Sequence, residues 1–163
     1  MLTQKLIIST IFLCGFVTKI SSDTIELTVE ENKKTLSEVV RLVNNIRTQG
    51  CQCGTTYYPP VAPLKMDETL NKAAILHSVD MYDANFFSHK GSNGSTIGER
   101  IDKVGYHWLA CAENIAKNQE TAQQVVTSWK QSVGHCKNMM NSDFDQTGIA
   151  KVGPYWTQVF AIK

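Results

Sequence analysis

The chain has 163 residues, a formal net charge of +1, 42% hydrophobic residues and 19% charged residues. This length fits one domain, and the apolar share excludes a disordered chain. The near-zero charge excludes a protein that grips nucleic acid through a basic surface.

Residues 1–22 read as a signal peptide. Lys5 gives a basic start, Leu6 to Val17 is an apolar run, and the small residues Ser21 and Ser22 stand where a signal peptidase would cut. The run is short of the roughly 20 residues that span a bilayer. The expected mature chain is therefore secreted or periplasmic, with no transmembrane segment. Cys14 falls inside the leader, and bulky Phe12 and Leu13 before it argue against lipid attachment there.

Residues 23–34 are polar, with alternating Ile25, Leu27 and Val29, and read as a spacer before a domain over 35–163. Thr35 and Glu38 have the spacing of a capping box, and Leu36, Val39, Val40, Val43 and Ile46 follow at helical spacing up to Gly50. Cys51 to Pro63 reads as a loop. A second helix opens near Asp67, with Leu70, Ala73, Ala74, His77 and Met81 on its apolar stripe, and ends near Asn85. Thr96 with Glu99 caps a short helix ending at Gly105. Residues 106–118 read as irregular or extended.

Thr121 with Gln124 opens a further helix that buries Val125, Val126 and Trp129. Gly134 is expected to interrupt it, with one more turn over His135 to Asn141. Thr147 to Lys151 and Tyr155 to Ile162 are β-prone runs joined through Val152-Gly153-Pro154, which predicts an antiparallel hairpin. The class is α+β, with helices packed on a small antiparallel sheet.

Export makes the cysteines readable. Cys51, Cys53, Cys111 and Cys136 are an even set in an oxidising compartment. A Cys51–Cys53 bond would close a strained ring, so both are expected to bridge to Cys111 and Cys136, in either order. The rival reading, a zinc or redox site, lacks a C-x-x-C spacing.

Chemistry centres on three residues. His89 follows Phe86-Phe87-Ser88 at a helix exit, His135 sits near a helix end, and Glu113 lies between apolar neighbours. Converging, they would form a concave site for a divalent metal or a polar ligand. His77, on the apolar stripe, reads as a core histidine, and His107 as a surface one. Glu113 and Asn114 also admit a purely structural role, hydrogen-bonding the neighbouring backbone. No G-x-S-x-G, H-E-x-x-H or Gly-rich phosphate loop is present.

F-F-S-H at 86–89, A-E-N-I at 112–115, W-K-Q-S-V-G-H-C-K-N-M-M at 129–140 and Y-W-T-Q-V-F at 155–160 occur in that order. Together they resemble the CAP superfamily of cysteine-rich secretory, antigen 5 and pathogenesis-related proteins, in particular its bacterial secreted branch. The resemblance implies an α-β-α sandwich and one further strand within 106–118. It also implies a cleft of two histidines and two acids that sometimes holds zinc or another divalent ion. The first histidine falls on His89, the glutamate on Glu113 and the second histidine on His135. The second acid's position, three residues after Trp129, is Ser132, which supplies no charge and implies weak metal binding.

The function expected is binding rather than turnover, with His89 and His135 as ligands to a divalent cation such as zinc. By resemblance, a small apolar or lipid-like ligand or an envelope component is the expected partner. The alternatives are a metal-dependent hydrolase with Glu113 as general base, and a structural or adhesive secreted domain with a degenerate cleft. A serine nucleophile at Ser132 using His135 lacks any visible oxyanion hole.

Overall fold

The computed structural model describes residues 22–163, with side chains from Asn32 onward. The expected leader, Cys14 included, lies outside the described residues apart from Ser22. The first helix, α1 (Ser22–Gln49), already runs through residues 23–34, so the expected spacer is helical. Its sequence is rich in Glu and Lys and free of Gly and Pro, which favours that state. Thr35 therefore lies inside α1 rather than capping it, and Glu38 pairs with Arg41 at 2.6 Å. Gly50 ends the helix at φ +73, where an added Cβ would stand 2.7 Å from the Tyr57 hydroxyl.

The expected loop after Gly50 contains a tight hairpin, β1 (Cys51–Cys53) with β2 (Thr56–Tyr58), and β3 (Lys65–Met66) follows. Next comes α2 (Glu68–Asp83), capped by Asp67, whose carboxylate accepts from the Thr69 and Leu70 N–H groups at 2.8 and 3.0 Å. Helix α3 (Ile97–Lys103) has the predicted Thr96–Glu99 capping box, and α4 (Ala122–Gln131) has the predicted Thr121–Gln124 box. Between them lies β4 (Ala110–Lys117), the strand that the resemblance implied within 106–118.

The chain closes with α5 (Val133–Met140) and the hairpin of β5 (Gln146–Val152) and β6 (Tyr155–Ile162). The break between α4 and α5 falls at Ser132, whose backbone is extended, and not at Gly134. Gly134 has open space around its Cα and stays helical.

The main sheet has the order β3-β5-β6-β4 and is antiparallel except for the short β3–β5 pairing, so β4 is an edge strand. Side chains alternate across it. On one face, Ile149, Trp156, Phe160 and Ala116 pack with α1 and α4 through Val39, Val43, Val126 and Trp129. On the other, Ala150, Val159 and Ala161 meet Leu70, Ala73 and Ala74 of α2 and Ile101 of α3. The result is the α-β-α sandwich that the motifs imply. Helix α2 approaches so closely that a Cβ on Gly148 would lie 2.1 Å from the Leu70 carbonyl carbon. Asn71 fixes this contact by accepting from the Ile149 N–H at 2.8 Å.

Tyr155, Trp156 and Phe160 are buried, as strand packing requires. The Trp156 indole donates to the Gln119 carbonyl at 2.8 Å and the Trp129 indole to the Ile115 carbonyl at 3.2 Å. Both rings thus stay dry without losing a hydrogen bond.

Arg47, near the end of α1, is fully buried. Its guanidinium donates to the carbonyls of Ala62, Met139, Asn141 and Phe144 at 2.7–2.9 Å. Burial alone lowers its pKa to about 10, which still leaves it charged at neutral pH. Arg47→Ala should destabilise the fold by about 4 kcal/mol in urea unfolding, because a cavity and several unpaired carbonyls remain. Arg47→Lys should recover only part of this loss, since an ammonium has three donors and no planar fork.

Candidate functional site

Three of the predicted site residues, His89, Glu113 and His135, come from different layers and meet at the β4 edge. Glu113 projects from β4 toward the α2–α3 side and is buried. One oxygen accepts from the Arg100 guanidinium of α3 at 2.7 Å, and the other from His89 Nδ1 at 2.9 Å. Arg100 also donates to the backbone carbonyls of His89 and Ser95 at 3.1 and 2.9 Å. The guanidinium therefore ties down both the carboxylate and the loop that carries the first histidine. With Nδ1 donating to Glu113, Nε2 of His89 is the ring nitrogen left for a ligand, and the side chain is 58% exposed.

His77 lies beneath this cluster, fully buried as expected of a core histidine. Its Nε2 stands 2.9 Å from the Ser88 carbonyl and 3.7 Å from Glu113. Burial lowers its pKa below the ordinary 6.5, more strongly than Glu113 raises it. His107 is exposed, as expected of a surface residue.

His135 reaches the site from α5, on the opposite layer. Asn114, the residue after Glu113, faces that way and donates to the His135 carbonyl at 3.1 Å. Asn138 of α5 in turn donates to the Asn114 side-chain oxygen at 2.9 Å and to the Glu113 carbonyl at 3.2 Å. Asn114 thus bonds the distant backbone of α5 rather than its neighbours in the chain. The His89 and His135 ring centroids are 6.4 Å apart. Burial first, and His89 second, lower the His135 pKa, so its imidazole is neutral at neutral pH.

The two rings open on a cavity of about 610 Å³, whose wall includes Phe87, Ile115, Gln119 and Ser128. Ser132 is not among its lining residues. It occupies the α4–α5 junction, and Ser128, one turn earlier, is the hydroxyl in the cavity. A groove of similar volume between α1 and α4 is lined by Leu42, Ile46, amides and Lys130, with no imidazole or carboxylate.

The cysteines meet the expectation in part. Cys53 bonds Cys136, one of the expected bridges, whereas the second does not form: among the described residues Cys51 and Cys111 are free thiols. Cys111 packs on the α2–α3 face of β4, while Cys51, Cys53 and Cys136 cluster with Met140 away from it. The alternation of β4 turns Cys111 away from the other three, and this prevents the second bridge.

Sequence reasoning missed Arg100 and Ser128. Arg100 carries no motif, and its only local sign is a basic residue in the last turn of a capped helix. Ser128 adjoins the helix tryptophan Trp129, on the face that turns toward β4.

A model of the cysteine-rich secretory protein family, CAP, matches residues 40–160. The protein YkwD of Bacillus subtilis is 40% identical over 100 residues, a stretch covering 60% of this chain and 39% of YkwD. The membrane protein YlbC of the same organism is 32% identical over 100 residues, 61% of this chain and 29% of its own. The chain therefore spans about two-fifths or less of these relatives. Among solved structures, an extracellular protein with an SCP domain from Bacillus anthracis superposes with a TM-score of 0.74 at 26% identity. The match covers 90% of this chain and 45% of that one. An outer surface protein from Borrelia burgdorferi shares the fold, with a TM-score of 0.66 at 22% identity, covering 83% of this chain and 95% of its own.

Two outcomes follow from this geometry. Glu113→Gln should cost about 3–5 kcal/mol in chemical unfolding, because it strands the Arg100 charge in a buried position. His77 binds fewer protons folded than unfolded, so its contribution to stability is complete above about pH 6.5 and is lost as pH falls below that value. Unfolding curves between about pH 7 and pH 5 should show this loss in the parent and a flatter pH dependence in His77→Gln.

Proposed function

The chain belongs to the CAP family of cysteine-rich secretory proteins, and we propose that it is an exported binding module that uses the His89–His135 cleft to hold a divalent cation or a small ligand. The observation that carries this reading is the Glu113–His89 hydrogen bond beside His135. A carboxylate that accepts from one imidazole nitrogen fixes the tautomer and presents the other nitrogen as a ligand. His135, held neutral by its surroundings, supplies a second donor 6.4 Å away between ring centroids.

The donor set fits zinc or a similar ion held weakly. Two imidazoles are present, the second acid is absent, and Ser128 or water would complete the sphere. Such an ion would supply positive charge for a bound polar group, and the apolar wall at Phe87 and Ile115 suits the hydrocarbon part of a lipid-like ligand. Export is supported by the extracellular and outer-surface relatives and by the disulfide. Among the described residues, no helix is long and apolar enough to cross a membrane.

Hydrolysis finds less support. Glu113 is buried, its side chain 2% exposed, and its oxygens accept from Arg100 and His89, so a water in the cavity has poor access to it as a base. Ser132, outside the cavity lining, is poorly sited to act as a nucleophile.

Calorimetric titration of the oxidised protein with zinc should give one site of micromolar affinity. The His89→Ala, His135→Ala double variant should lose it, and Glu113→Gln should weaken it by about 10–100-fold. An unchanged isotherm in the double variant would remove the cation from this reading.

A further inference from the structure

Three sulfur atoms converge outside the cleft. Cys51 and Cys53 flank exposed Gln52 along β1, so both leave the same face of the strand, and α5 brings Cys136 against that face. Cys53 and Cys136 form the disulfide. The Cys51 sulfur stands 3.7 Å from that of Cys53 and 3.5 Å from that of Cys136. All three residues are buried, and the thioether residue Met140 packs in the same cluster.

The near-equal distances limit what Cys51 can do. Thiol–disulfide exchange requires the attacking sulfur to lie in line with the bond it breaks, whereas a sulfur equidistant from both partners stands beside that bond. Burial also keeps Cys51 protonated by raising its pKa, which lowers its power as a nucleophile. The same triangle does suit a metal. Zinc–thiolate bonds of about 2.3 Å in tetrahedral geometry set the sulfurs about 3.8 Å apart. Two of the three spacings are already close to that value, and only the bonded pair has to separate.

We propose that, when the disulfide is reduced, Cys51, Cys53 and Cys136 form a buried thiolate site for a soft cation of the zinc type, and that the disulfide is its closed state. The reductant is a dithiol. It passes two electrons and two protons to the Cys53 and Cys136 sulfurs, their bond breaks, and the dithiol becomes a disulfide. The cation then replaces the thiol protons, which leave to solvent. The soft surroundings select against magnesium and calcium.

The test uses the His89→Ala, His135→Ala chain, so that the cleft contributes nothing. Zinc binding is compared for the oxidised protein and for protein reduced with a phosphine, which does not hold zinc. The reduced chain should bind one more equivalent than the oxidised chain. Cobalt in place of zinc should show thiolate-to-metal charge-transfer absorption. Adding Cys51→Ser should weaken binding by at least about tenfold while leaving the Cys53–Cys136 bridge able to form. If the reduced chain loses its circular dichroism without metal, zinc should restore the folded signal in the parent but not with Cys51→Ser. Equal zinc uptake by oxidised and reduced protein, or binding and refolding that Cys51→Ser does not weaken, would overturn the proposal. Either result is separate from the cleft reading, which is tested on the oxidised protein.

Discussion

A guanidinium buried with no carboxylate beside it among the described residues must find carbonyl oxygens for its N–H groups, and Arg47 finds four. They belong to the proline-rich stretch after the hairpin, the end of α5, the turn after it and the approach to β5. Each of these segments is irregular or a helix end, where carbonyls lack internal partners. One side chain from α1 therefore organises the parts of the chain that regular hydrogen bonding leaves open. The placement of α5, and with it His135 and Cys136, depends on this arrangement.

Arg100 solves the same problem in another way. It has a carboxylate, Glu113, and its Nη1 and Nη2 groups also donate to the loop carrying His89, while its buried Nε stays without a hydrogen-bond partner among the described residues. A buried ion pair contributes little net stability once desolvation is counted, so its value here is geometric. It fixes the carboxylate that fixes the imidazole. The site is thus built from outside in: helix α3 holds the arginine, the arginine holds Glu113, and Glu113 sets the tautomer of an exposed histidine.

Much of this was legible in the sequence wherever a feature is local. The capping boxes at Thr96 and Thr121, the Asp67 cap and the final hairpin rest on neighbours in the chain. The expected cap at Thr35 failed because the same spacing occurs by chance inside a longer helix. Gly134 misled because a helix can carry a glycine, whereas the bend at Ser132 answers to where α5 must go to bring Cys136 to Cys53. His89, Glu113 and His135 were reached through ordered motifs, but Ser132 was carried over by position alone, and its neighbour Ser128 faces the cavity instead. Arg100 and the fate of Cys111 could not be read, since they depend on which face of β4 Glu113 and Cys111 occupy.

That alternation has a wider consequence. Glu113 and Asn114 are adjacent on an edge strand whose strand partner, among the described residues, is β6, in a register that sets Glu113 opposite Val159. One anchors the wall carrying His89, the other the wall carrying His135. A slip of one residue would turn the carboxylate toward Asn138 of α5 and present an amide to Arg100, exchanging the chemistry of the two walls without moving either helix. The cleft is therefore encoded less by the loops around it than by strand alignment, and an insertion or deletion within β4 would abolish it even where every motif residue is retained.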